Sequence, residues 1–270
     1  MVSEEIVRLS LPYSEKENKT VRVYVPAHEN GETFPVIYMA DGQNLFEDDT
    51  VQFGCWYTRE AVRDEQKNGN GGAIIVAIHN DGNPLQRTNE LTPAGMGTIN
   101  YPPDFPEEQK KFMSADGEIF DDFVINTVMP TVEKQFPVKT GRKNTAFCGS
   151  SSGGLMSLFT ALSHPEKYCA AGVFSPVPLE MIYVSEEAHN WLRSKMTDNM
   201  PYLYMYCGGT GEQEKMMCFF MEQTYSFMKE FYPADKLKKV VKPEEEHHEK
   251  AWSAVFRDFL HMFVSERNEL

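Results

Sequence analysis

A doubly wound α/β architecture, a mostly parallel sheet flanked by helices, is the fold this sequence predicts, and three observations carry it. Short β-branched runs alternate with longer helical patterns. Several of the runs are continuously apolar, and one passes through a tight Gly-Ser turn straight into a helix. Strands covered by helices on both faces lose the in-out alternation of half-exposed strands. Runs such as Val36-Ile-Tyr-Met39 and Ala73-Ile-Ile-Val-Ala-Ile78 therefore read as buried and parallel. Ligands of such sheets bind beyond the carboxyl ends of the strands.

Strands are expected at 20–25, 34–39, 73–79, 145–148, 171–174, 202–207 and about 239–242. Between them, 120–136 places apolar residues at Phe120, Phe123, Val124, Val128 and Val132, close to the 3.6-residue helical period. Further helices are expected at 153–163, 214–231 and 250–266. Two stretches depart from the pattern. Residues 80–117 are rich in Pro, Gly, Asn and Asp, and 175–200 separates two strands with only a short helix near 186–195. Long irregular segments are usually functional, so both are expected as loop insertions forming walls or a lid over the site. No repeat, low-complexity tract or linker interrupts the chain, and residues 1–270 read as one domain.

Composition narrows the function. Hydrophobic residues make up 41% and charged residues 24%, as in ordinary globular proteins. A formal net charge of −14 argues against nucleic acid as a partner, since phosphate binding needs clustered Lys and Arg. No stretch approaches the roughly 18 apolar residues of a membrane span, so no membrane role is expected. The N-terminus is acidic where a secretory signal would be basic. Five cysteines, an odd number without C-x-x-C spacing, read as reduced, buried residues. Together these predict a cytoplasmic protein.

The segment Gly149-Ser150-Ser151-Ser152-Gly153 centres Ser151 in a G-x-S-x-G window, with strand 145–148 before it and helix 153–163 after it. That is the context of the nucleophile elbow of an α/β-hydrolase, where glycines permit a turn too tight for side chains. The Ser152 N–H, at the start of the helix, is placed to stabilise a developing oxyanion. A serine hydroxyl needs a neighbouring base, and in this fold the acid and then the histidine follow it in the chain. Glu244-Glu-Glu-His247-His248-Glu249 lies between the last expected strand and the last helix, and either histidine could serve. His261 falls within the final helix and reads as structural. The Glu/His run lacks the i, i+4 spacing and Cys partners of a zinc site, so no metal is expected. The acid should follow strand 202–207, where Glu212 is the preferred candidate and Glu214 the alternative.

These residues make the chain resemble an esterase family of α/β-hydrolases, the group that includes enterochelin esterases, feruloyl and acetylxylan esterases and S-formylglutathione hydrolase. The similarity runs through Tyr38-Met-Ala-Asp-Gly-Gln-Asn-Leu-Phe46, Gly54-Cys-Trp56, Arg87-Thr-Asn-Glu-Leu-Thr-Pro93, the Ser151 window, His164-Pro165, Ser175-Pro176 and Glu246-His-His-Glu-Lys-Ala-Trp252. The last is similar to the family's E-H-x-E-x-x-W run, which implies His247 as the base. Gly-Thr-Gly-Glu212 is similar to its G-T-x-E, which implies Glu212 as the acid. Asp41-Gly42-Gln43 resembles its oxyanion loop, implying a second N–H from Gly42 or Gln43, and Trp56 matches a tryptophan near the pocket. One departure is Ala40, where the family commonly has His before Asp-Gly-Gln. The resemblance implies a serine carboxylesterase without cofactor, acting on a small ester such as an acetylated or feruloylated saccharide. Acyl transfer to an alcohol, or a binding module on the same scaffold, are the rival readings. The two insertions would be suitable surfaces for a homodimer.

Overall fold

Eight strands join a single sheet in the order β1-β2-β4-β3-β5-β6-β7-β8. The computed structural model describes residues 1–15, 17–47, 54–80, 82–101 and 103–266. β1 (Glu5–Pro12) pairs antiparallel with β2 (Asn18–Val25), and β2 antiparallel with β4 (Ile74–Ile78). From β4 onward every pairing is parallel, through β3 (Val36–Met39), β5 (Thr145–Ser150), β6 (Ala170–Phe174), β7 (Tyr202–Gly208) and β8 (Leu237–Lys242). The mostly parallel α/β-hydrolase sheet expected from the sequence is what forms. β1 was not among the expected strands. It lies at the edge of the sheet with no residue fully buried, and Arg8 and Ser10 break its apolar residues so that it lacks the continuous run of the central strands.

Helices cover both faces, and the period-two alternation of the strands splits the core accordingly. Val36, Tyr38 and Val76 face one cluster with Phe120, Leu155 and Met156, whereas Ile37, Met39 and Ile75 face another with Trp56, Phe256 and Phe259. The second face is closed by α1 (Thr58–Lys67) and the last helix, α10 (Glu249–Glu266). Most methionines and aromatic residues are spent in this core.

Both insertions contain more structure than their composition predicts. Residues 80–117 form α2 (Pro84–Glu90), a one-turn 3₁₀ segment at Ala94–Met96 and α3 (Glu107–Lys110). Pro84 opens α2, and Asn83 Oδ1 caps it by accepting from Leu85 N and Gln86 N at 2.9 and 3.3 Å. The helix expected over 120–136 is three pieces: α4 (Gly117–Phe123), a π turn (Val124–Val128) and α5 (Met129–Gln135). Pro130, which has no N–H for the helical ladder, sits just past the π turn. The elbow helix α6 (Ser152–Ser163) follows β5, and α7 (Leu179–Ile182) and α8 (Ser185–Ser194) fill the second insertion. α9 (Glu212–Met228) leads from β7 towards β8. Among the described residues no helix is long and apolar enough to cross a membrane.

His164, at the end of α6, ties that helix to α4. Its Nε2 donates to Asp121 Oδ2 at 2.6 Å, and Asp121 also accepts from the Thr160 hydroxyl. The bond to Asp121 raises the pKa of His164, and partial burial opposes the rise. A raised folded-state value makes this contribution complete below the unfolded pKa of about 6.5 and lost as pH rises through the folded value. His164→Gln should therefore cost about 1–2 kcal/mol near pH 5.5 and less near pH 8.5, as read by urea unfolding at the two pH values. An equal cost at both would show that the imidazole is not charged in the folded protein.

Candidate active site

β5 ends at Ser150 and α6 begins at Ser152, leaving Ser151 at φ 57°, ψ −121° between them. That conformation is strained for a residue with a side chain, and strain of this kind gathers at functional positions. The turn closes because Gly149 carries no Cβ; one there would meet the Gly153 carbonyl oxygen at 2.6 Å. Ser151 N donates to Phe174 O at 3.0 Å, pinning the turn to the end of β6. Its side chain lines an open cleft of about 550 Å³ at the carboxyl end of the sheet.

His247 enters the same cleft from the loop between β8 and α10. Its Nδ1 donates to Glu214 Oε2 at 2.6 Å, which leaves Nε2 for the cleft. Glu214 is fully buried, and its other oxygen accepts from Ser175 Oγ at 2.6 Å and Gly208 N at 2.5 Å. Ser175 is in turn fixed by the Trp252 indole, whose Nε1 donates to Ser175 Oγ at 3.0 Å. The same indole meets the His247 ring edge-on, with centroids 4.8 Å apart. The imidazole is thus held at one nitrogen by a carboxylate and on one side by an aromatic wall.

The acid predicted from the sequence is not the residue that reaches His247. Glu212 is the first residue of α9 and points into solvent, whereas Glu214, two positions later, turns inward. The first residue of a helix sits at its open end. The third lies back over the preceding loop, and Glu214 binds Gly208 N six residues upstream. Glu214 is the alternative that the sequence offers, and the likeness of Gly-Thr-Gly-Glu212 to the family's G-T-x-E favours the carboxylate that does not bond the imidazole.

On the far side of Ser151, Asp41 takes φ 55° and leads into the 3₁₀ turn Gly42–Asn44. Gly42 is buried with its Cα against β4, and a methyl group there would lie 2.6 Å from Ala77 O and Ile78 N. Gln43 lines the cleft. Arg22 braces the turn by donating to Gly42 O at 3.0 Å. Asp41 accepts from Arg87 Nε and Nη2, each at 2.7 Å, and from Asn80 Nδ2 at 2.6 Å. That bidentate pair ties the turn to α2, and Arg87 also reaches Ser152 Oγ at 3.4 Å. Ala40, the departure from the family pattern, is buried against Gly153. Anchoring of the turn falls instead to Arg22 and Arg87.

Ser151, Gln43, Trp56 and His247 therefore share one cleft, whereas Gly42 and Ser152 are buried next to its lining residues Gln43 and Ser151, and Glu212 is exposed outside it. Trp56 stacks on Phe174 at 5.8 Å and also packs in the core. Sequence reasoning assigned no role to Arg87, Ser175, Trp252 or Glu249, although each falls within a stretch already singled out for resemblance. Glu249 lines the cleft, and burial pushes its carboxyl up to about 7.

A mostly parallel sheet in this order, with a serine on a strained strand-to-helix turn and a histidine after the last strand, makes this an α/β-hydrolase. The chain belongs to the family described as Putative esterase, whose model matches residues 14–256. It is 30% identical over 182 residues to the siderophore triacetylfusarinine C esterase of Aspergillus fumigatus, a match covering 66% of this chain and 57% of that protein. The chain thus spans less than two thirds of that relative's length. Among solved structures, siderophore hydrolase EstA of Aspergillus nidulans superposes with a TM-score of 0.72 at 18% identity, covering 98% of this chain and 95% of that one. A ferulic acid esterase of Anaeromyces mucronatus, solved with ferulic acid, gives a TM-score of 0.68 at 20% identity, covering 98% and 92%. At those identities the two structures speak for the fold.

Proposed function

We propose that the protein is a single-domain serine carboxylesterase that cleaves a small ester through an acyl-enzyme. The observation that carries this reading is the shared cleft. Ser151 opens into the same space as His247, whose second nitrogen is held by the buried Glu214 carboxylate. In this reading His247 Nε2 takes the Ser151 hydroxyl proton as Oγ attacks the ester carbonyl. The N–H of Ser152, with one at Gly42 or Gln43, stabilises the oxyanion; the first N–H groups of a helix have no partner within it. Collapse breaks the C–O bond, and His247 returns the proton to the departing alcohol. Water then attacks the acyl-enzyme with His247 again as base, releasing the acid and restoring Ser151.

The substrate class proposed is a carboxylic ester of modest size, whether of a saccharide, a hydroxycinnamate or a siderophore, the last two being what relatives are named for. Five free cysteines, four of them buried, favour a reducing compartment such as the cytoplasm. The test is labelling with a fluorophosphonate alongside hydrolysis of p-nitrophenyl acetate, butyrate and octanoate and methyl ferulate. A single adduct on the peptide carrying Ser151, with turnover of at least one ester, is the expected result. No adduct and no turnover would sink the proposal.

A further inference from the structure

Among the cleft's polar groups that the proposed mechanism does not use is the carboxylate of Glu249. Glu249 opens α10 two residues after His247 and is only 6% exposed. Its carboxylate accepts from its own main-chain N–H. Among the described residues its side chain has no hydrogen bond or ion pair with any other residue. Arg87 acts on it as an opposite charge but is committed to Asp41 through both Nε and Nη2. Buried carboxylates are ordinarily paired, because an unpaired one forfeits its hydration. One held only by its own main chain among the described residues, at the wall of an open cleft, is free to take a partner from a ligand.

The surroundings specify that partner. Trp252 follows Glu249 by three residues on α10, placing both on one face, and Trp56 lines the same cleft with its indole 6.1 Å from that of Trp252. Aromatic faces attract cations, quaternary ammonium groups above all. Among the described residues, the charged and titratable groups of the cleft around Glu249 are Asp41 on the oxyanion turn, Arg87 on α2, and His247 and His248 on the loop before α10, with Glu214 buried behind His247. Among the described residues of this region, the carboxylates of Asp41, Glu214 and Glu249 outnumber the guanidinium of Arg87. A cationic ligand group is favoured here and a carboxylate opposed.

Resting on the esterase reading, we infer that Glu249, Trp252 and Trp56 form a subsite for a cationic group of the substrate, a protonated amine or quaternary ammonium a short reach from the scissile carbonyl. The subsite is switched by pH. Burial, reinforced by Asp41 and opposed by Arg87, raises the Glu249 carboxyl to about 7, so cation selection is present above neutrality and lost below it.

Choline and 3,3-dimethylbutanol, its uncharged carbon isostere, separate charge from shape. Both are titrated calorimetrically into the wild type and Glu249→Gln near pH 5.5 and pH 8.5, with hydrolysis of their butyrate esters followed alongside. At the higher pH the wild type should favour choline by about tenfold, and the ratio of kcat/KM for the two esters should follow. At the lower pH, and in Glu249→Gln at both, the preference should shrink to the few-fold that the indoles supply. At each pH the two proteins differ only at residue 249, so the variant isolates Glu249. Equal binding of the two compounds, no binding of either, or a preference that survives Glu249→Gln overturns the subsite. Choline selection without ester turnover or fluorophosphonate labelling overturns the esterase reading instead and leaves a cation site.

Discussion

Ser151→Ala should lower kcat on the best p-nitrophenyl ester by about a millionfold while leaving the fold intact. The hydroxyl is the only part of the site that forms a bond to the substrate in the proposed reaction, so its loss removes the covalent route altogether. Residual turnover should still exceed the reaction in water by about a thousandfold, because the N–H groups of Ser152 and of the Gly42–Asn44 turn remain in place. Folding should not suffer. The strained turn depends on Gly149, on the main-chain bond from Ser151 N to Phe174 O and on the packing of Gly153 against Ala40, none of which involves the hydroxyl. Circular dichroism and thermal unfolding beside steady-state kinetics check both halves. A loss below about a hundredfold would mean that another group is the nucleophile.

What was legible in the sequence follows the range of the interactions involved. β3, β4 and β6 were readable because sheet burial leaves a continuous apolar run, and Ser151 because a tight turn dictates its immediate neighbours. The order of elements led only to the pair His247-His248, and the likeness to the family's E-H-x-E-x-x-W run singled out His247; His248 also lines the cleft but accepts from Lys250 N, whereas His247 bonds Glu214. The inward turn of Glu214 was not readable. It depends on where α9 starts relative to β7, and helix boundaries are the least certain feature of a sequence. The pairing of Asp41 with Arg87 joins residues 46 apart, and that of Trp252 with Ser175 joins residues 77 apart. Neither leaves a local pattern, because only the packed sheet brings the partners together. The departure at Ala40 acquires its meaning in the same way, once Arg22 and Arg87 are seen bracing the turn it precedes.

Glu214→Gln should reduce kcat about ten-thousandfold, and Glu212→Gln should leave it within about twofold. Glu214 uses its two oxygens differently: one accepts from Ser175 Oγ and Gly208 N, the other from His247 Nδ1. An amide has a single oxygen. If that oxygen keeps Gly208 and Ser175, the NH₂ faces His247 and forces Nδ1 to accept, moving the imidazole proton to Nε2, where a base must be free. If the amide turns over, its NH₂ meets the Gly208 N–H, and a buried donor is left unsatisfied at a cost of about 1–3 kcal/mol. The first arrangement abolishes general-base action and the second weakens the fold, so the variant should lose activity in either case. Glu212 stands exposed in the first turn of α9, where its charge is worth a few tenths of a kcal/mol to the helix dipole and nothing to the imidazole. Steady-state kinetics of the two variants decides between the carboxylates. The reverse pattern would require α9 to begin about half a turn earlier than it does here, with Glu212 facing inward.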